Sequence, residues 1–117
     1  MITTLLGTSA VSAAALVLPH DHYGNEEGCA YLASGTVEDD GLQYLTRRDL
    51  ATFGSGCSFT EVAADASGNQ RAEGICSHEG ESYLTDEDHI ISRPDDSGRI
   101  SIYTATGEIW GELEPCL

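Results

Sequence analysis

Four cysteines, Cys29, Cys57, Cys76 and Cys116, constrain this chain more than any other feature of its sequence. The nearest two stand nineteen positions apart, whereas zinc sites bring their ligands in close pairs such as C-x₂-C. An even number of well-separated cysteines in a compact chain points instead to disulfides formed in an oxidising compartment. The turn Asp65-Ala66-Ser67-Gly68 supplies a register to test. If Ala64 pairs with Asn69 around it, Cys57 falls directly across from Cys76, and cross-strand Cα atoms lie about 4.5 to 5.5 Å apart, within the span of a disulfide. That pairing leaves Cys29 for Cys116, a bridge joining the first strand of the domain to its last.

The rest of the chain reads as antiparallel β. Short apolar or alternating runs are separated by clusters of Gly, Asp, Asn and Ser, and no stretch after the expected export signal sustains helical periodicity over three turns. Asp95-Asp96-Ser97-Gly98 and Thr104-Ala105-Thr106-Gly107 repeat the pattern of the first turn, with Gly last, where a type I turn followed by a left-handed residue needs it. Expected strands are Ala30 to Ser34, Leu42 to Thr46, Cys57 to Ala63, Gln70 to Cys76, Ser82 to Leu84, His89 to Arg93, Arg99 to Thr104 and Glu108 to Leu113. Thr46 to Phe53 offers one helical turn with Thr46 as its N-cap. In the last strand Ile109, Gly111 and Leu113 share one face and Glu108, Trp110 and Glu112 the other, so Trp110 is either a second-face core residue or a half-exposed aromatic among acids. The expected fold is mainly β, an antiparallel meander or small open barrel or sandwich with two disulfides and at most one short helix.

Every charged side chain lies after Pro19. The small, apolar run before it is too short for a membrane-spanning helix and suits an export signal, with cleavage expected after Ala13 or Ala15; the alternative is a buried N-terminal helix or strand. The domain plan is a signal over 1–15, a flexible leader over 16–28 and a single disulfide-stapled domain over 29–117, placed in the periplasm or secreted and with no membrane span once the signal is removed. The charge of −15 comes from 20 acids against five arginines and no lysine. Such a surface repels nucleic-acid phosphates and anionic lipid and favours cationic proteins, polycations or divalent metals as partners, while its plainer role is solubility.

Cys76-Ser77-His78-Glu79-Gly80-Glu81 places a histidine and two carboxylates beside a cysteine. The stretch resembles the C-x-x-E-G-E segment of small secreted four-cysteine proteins of alphaproteobacteria, which also share an early glycine before the first cysteine (here Gly24 and Cys29), a Cys-x-Phe strand (Cys57-Ser58-Phe59) and a C-terminal cysteine (Cys116). The resemblance implies a fold and a compartment and brings no function with it.

Candidate binding residues are His78, Glu79, Glu81 and Trp110; His20 and His22, flanking Asp21, are candidate metal ligands. The run Asp86-Glu87-Asp88-His89 lacks the spacing of a calcium loop. No G-x-S-x-G, H-E-x-x-H, G-x-G-x-x-G or P-loop pattern occurs, so no catalytic residue and no cofactor is assigned. No pattern encodes an oligomeric state. The function expected is that of an exported, non-enzymatic binding or structural domain, in one version a protein-binding module of the lysozyme-inhibitor kind. The alternative is a metal-binding or small hydrolytic protein using His and carboxylates.

Overall fold

The three Asp/Thr-x-x-Gly turns organise the molecule as the sequence predicts. Gly68, Gly98 and Gly107 take φ of 91°, 88° and 91°, a region closed to most side chains and open to glycine. A computed structural model describes residues 14–117. Its strands are β1 (His22–Gly24), β2 (Gln43–Thr46), β3 (Asp49–Thr52), β4 (Ser55–Ala64), β5 (Gln70–His78), β6 (Thr85–Ile91), β7 (Ile100–Thr104) and β8 (Ile109–Pro115), with one helix, α1 (Glu26–Ser34), between β1 and β2. All neighbours are antiparallel, and β8 returns to β1, so the meander closes into an eight-stranded barrel. Closure removes the unpaired edges that an open sheet would expose.

Alternation sorts each strand into an inner and an outer face. In β5, Gln70, Ala72, Gly74 and Cys76 are buried, while Arg71, Glu73, Ile75 and Ser77 are exposed. Tyr23, Leu45, Leu50, Ile91, Ile100, Ile102 and Leu113 fill the interior as fully buried side chains, each contributing about 1.5–3 kcal/mol as a buried large apolar group. Both disulfides form as expected, Cys57–Cys76 inside the barrel and Cys29–Cys116 outside it.

The register behind the first disulfide is reached by two offsets that cancel. Ala64 pairs with Gln70 rather than Asn69, and Thr60 is then left unpaired as a bulge, which returns Cys57 to Cys76. A second bulge alters the last strand. Ile102 pairs with Gly111 but Tyr103 pairs with Ile109, leaving Trp110 as the extra residue. Alternation breaks there, so Ile109 points outward while Trp110 packs against the core.

Three expected elements are corrected. Ala30 to Ser34 is helix rather than strand. Asn25 caps α1 by accepting from the Gly28 N–H at 2.8 Å, Glu26 and Glu27 favour its N-terminal dipole, and Gly35 ends it at φ 76°. A Cβ on Gly28 would stand 1.8 Å from the Gln43 carbonyl oxygen, so the helix can lie this close to β2 only with glycine there. Thr46 to Phe53 is a hairpin rather than a helical turn. The Thr46 hydroxyl does accept from the Arg48 and Asp49 N–H groups, at 3.2 and 3.0 Å, but the capped N–H groups belong to a tight β turn. Ser82 to Leu84 carries no strand; β6 begins at Thr85.

The segment 16–28 is also not a flexible leader. Leu16 and Leu18 are buried in the core, and they seal one end of the barrel. The Leu16 N–H donates to the Arg47 carbonyl at 2.8 Å. The buried Gln70 amide donates to the Val17 carbonyl and accepts from the Val17 N–H, each at 2.9 Å. Arg47 donates to the Leu18 carbonyl at 2.7 Å. Residues 16–28 therefore belong to the domain. The expected export segment lies outside the described residues except for Ala14 and Ala15, and cleavage after either Ala13 or Ala15 leaves the seal in place.

Candidate functional site at the open end of the barrel

Opposite the Leu16–Leu18 seal, the barrel end formed by the β3–β4, β5–β6 and β7–β8 connections holds a cavity of about 250 Å³, lined among others by Leu50, Ser55, His78, Glu87, His89 and Trp110. That is below the 300–1,000 Å³ usual for drug-sized ligands, and suits one side chain or a small fragment. The strand register explains its polarity. Ser55 is directly opposite His78, and His89 opposite Thr104, so the inner face that is apolar towards the seal turns polar towards the mouth.

A chain of hydrogen bonds crosses this mouth. Ser55 Oγ lies 2.9 Å from His78 Nδ1, and His78 Nε2 lies 2.6 Å from Glu87 Oε2. The Thr85 hydroxyl donates to the same carboxylate oxygen at 2.6 Å. An ionised carboxylate only accepts, so Nε2 carries the proton and, in the neutral ring, Nδ1 accepts from Ser55. The Thr85 hydrogen bond, with help from His78, holds the Glu87 carboxyl below its ordinary value. The hydrogen bond to Glu87 in turn raises His78. Connected in this way the groups can pass a proton from Ser55 to the imidazole, with Glu87 as counter-ion.

His89 differs. It is 4% exposed, its Nδ1 is buried without a hydrogen-bond partner, and its ring meets Trp110 edge to face at 6.3 Å. Burial pushes its pKa down, against the pull of Glu87 and Asp88, so the ring is neutral at physiological pH.

These shifts set how stability follows pH. His78 binds its proton more tightly when folded, so its contribution is complete below the ordinary value of 6.5 and is lost as pH rises through its raised folded value. For His89 the unfolded chain takes the proton first, so stability falls as pH drops below 6.5 towards its lowered folded value. Glu87 adds a further loss below 4.5 as pH falls through its own lowered value. The urea midpoint of the protein is expected to peak near pH 6.5, with His78→Gln flattening the alkaline limb and His89→Leu the acid limb; limbs unchanged by these variants would contradict the assignment.

Of the residues singled out in the sequence, His78 and Trp110 line the cavity, and Glu79 and Glu81 stand exposed in the β5–β6 connection at its rim. His20 and His22 are exposed towards the sealed end and, among the described residues, belong to no group of three ligating side chains. Among the described residues the one group of three ligating side chains with atoms within 4.8 Å is Cys57, Cys76 and Glu87, and its sulfurs are joined in a disulfide rather than free as thiolates. Ser55, Glu87 and His89 were missed as site residues. The signal for Ser55 was present, since pairing Cys57 with Cys76 puts Ser55 across from His78.

No family model matches the chain, and no curated protein or solved structure is significantly similar to it. Among the described residues no helix is long and apolar enough to cross a membrane.

Proposed function

We propose that this protein is an exported, non-enzymatic binding barrel that docks its open end onto a basic protein. The observation that carries the reading is the one-sided distribution of arginine along the barrel, which leaves the sealed end with arginines beside acids such as Asp21, Asp95 and Asp96 and the open end with acids alone. All five arginines lie towards the sealed end: Arg47 and Arg48 in the β2–β3 turn, Arg71 as second residue of β5, and Arg93 and Arg99 in the β6–β7 connection. The open end carries Glu79, Glu81, Asp86 and Glu108 with no arginine among them. Phe53, Tyr83, Leu84 and Ile109, from 49% to 66% exposed, stand on the same three connections or beside them. Aromatic and aliphatic anchors among carboxylates suit a partner with apolar and basic patches. Two disulfides agree with maturation where thiols are oxidised.

A strongly basic lysozyme is the first partner to test. At micromolar protein and low salt, inhibition is expected that weakens as salt rises and is lost in Tyr83→Ser/Leu84→Ser; full lysozyme activity throughout would remove this version. The Ser55–His78–Glu87 chain favours a second reading, a small esterase, and the same preparation discriminates. Release of nitrophenol from an activated acetate ester that disappears in Ser55→Ala would place hydrolysis ahead of binding.

A further inference from the structure

We propose that the cavity inside the open end is a binding site for a single guanidinium group, held by the Glu87 carboxylate, the His89 imidazole and the Trp110 indole. The inference rests on the reading above in taking an arginine of the basic partner as the natural source of that group. Three independent observations converge on it. First, His89 is 96% buried by its 4% exposure, lines the cavity, and leaves Nδ1 unpartnered. Buried polar atoms are almost always paired, so the unpaired imidazole nitrogen marks this wall of the cavity as incomplete without a further group. Second, only one oxygen of Glu87 is engaged by Thr85 and His78; the other is free to accept, and the Ser55 and Thr104 side chains on the same wall add hydroxyl acceptors. Third, no arginine of the chain lines the cavity, and the chain has no lysine.

The chemistry selects guanidinium over other cations. Its planar fork presents several N–H donors to acceptors spread around a wall, stacks on aromatic rings and sheds water more readily than ammonium. Leu50 and Cys57 make part of the lining apolar, which penalises a strongly hydrated ammonium. A divalent metal is poorly served, because His78, Glu87 and His89 do not bring three ligand atoms within 4.8 Å of one another. The titratable and charged groups that face the site are His78 and His89 on the wall, Glu87 between them, Asp88 beside His89 and Glu81 acting on His78 from the rim. A protonated His78 competes for Glu87, so the cation binds more tightly as that imidazole loses its proton.

The test uses the full mature protein and N-propylguanidinium, with n-butylammonium as the comparison. Trp110 is the chain's one tryptophan, so its fluorescence reports the cavity directly. A saturable change is expected with propylguanidinium at millimolar concentrations, stronger at pH 8 than at pH 5.5. Binding should weaken about tenfold or more in Glu87→Gln, as for loss of a charge-assisted hydrogen bond, and change little in the rim variant Glu79→Gln. Should Glu87→Gln fail to fold, His78→Gln frees the carboxylate and is expected to bind more tightly. No saturable change, equal binding of butylammonium, or weaker binding in His78→Gln would overturn the proposal. Inhibition of lysozyme without binding of propylguanidinium would leave the protein-binding reading standing and this site refuted. Binding of propylguanidinium without any basic protein partner would do the reverse.

Discussion

Exchanging Leu16 and Leu18 together for serine is expected to leave the protein largely unfolded at room temperature. Both side chains are buried in the core, at 2% and 6% exposure, and truncating a buried leucine costs about 2–5 kcal/mol each. The combined loss of about 4–10 kcal/mol is comparable to the 5–15 kcal/mol that holds a domain of this size together. Serine also introduces hydroxyls where the surroundings are apolar, which adds to the loss. Val17, between them and 82% exposed, is the internal control, since Val17→Ser leaves its backbone bonds to Gln70 intact and is expected to shift stability by less than about 0.5 kcal/mol. Urea titration followed by Trp110 fluorescence measures all three. Equal midpoints for the double variant and the parent would show that the segment is a leader after all.

The second large effect is expected from Cys29→Ser/Cys116→Ser. The bridge spans 87 positions, and in the loop-entropy account closing a loop of that length stabilises by about 4–5 kcal/mol, against about 3 kcal/mol for the short loop of Cys57–Cys76. The outer bridge also does local work. β1 has three residues, and it closes the barrel through only two pairs to β8, Tyr23 with Pro115 and Gly24 with Glu114. With the bridge gone, that seam is held by this short ladder and the Cys116 N–H donating to the His22 carbonyl. Loss of the long cross-link should expand the unfolded chain and steepen the urea dependence as well as lower the midpoint. Hydrogen exchange at β1 and β8 should rise before that of β4 and β5; uniform exchange would separate the bridge from closure of the seam.

Turn chemistry and cysteine spacing carried most of the fold. The glycines at 68, 98 and 107 fixed three hairpins because their backbone demand is local. What escaped depended on distant partners. The bulges at Thr60 and Trp110 have no local signature, yet one shifts the register and the other turns the indole inward. The cap signals of α1 were present in Asn25, Glu26, Glu27 and Gly35, but nine residues with a weak apolar face read as the end of a leader and a short strand until β2 is placed against Gly28. The apolar residues 16 and 18 blended into the export-like run before them. In the site, His78 stood out beside its carboxylates, whereas Glu87 and His89 were hidden in an acidic run whose inward members appear only once β6 is set against Gly74 and Ala72.

The arginines gathered towards one end of the barrel have a consequence before any contact is made. With arginines confined to the sealed half and uncompensated carboxylates at the other, the molecule is an electric dipole directed along the barrel axis. In the field of a positively charged protein such a body experiences a torque as well as an attraction, and it rotates mouth-first during the approach. A larger share of collisions then begins in the productive orientation, which speeds capture without adding any bond to the complex.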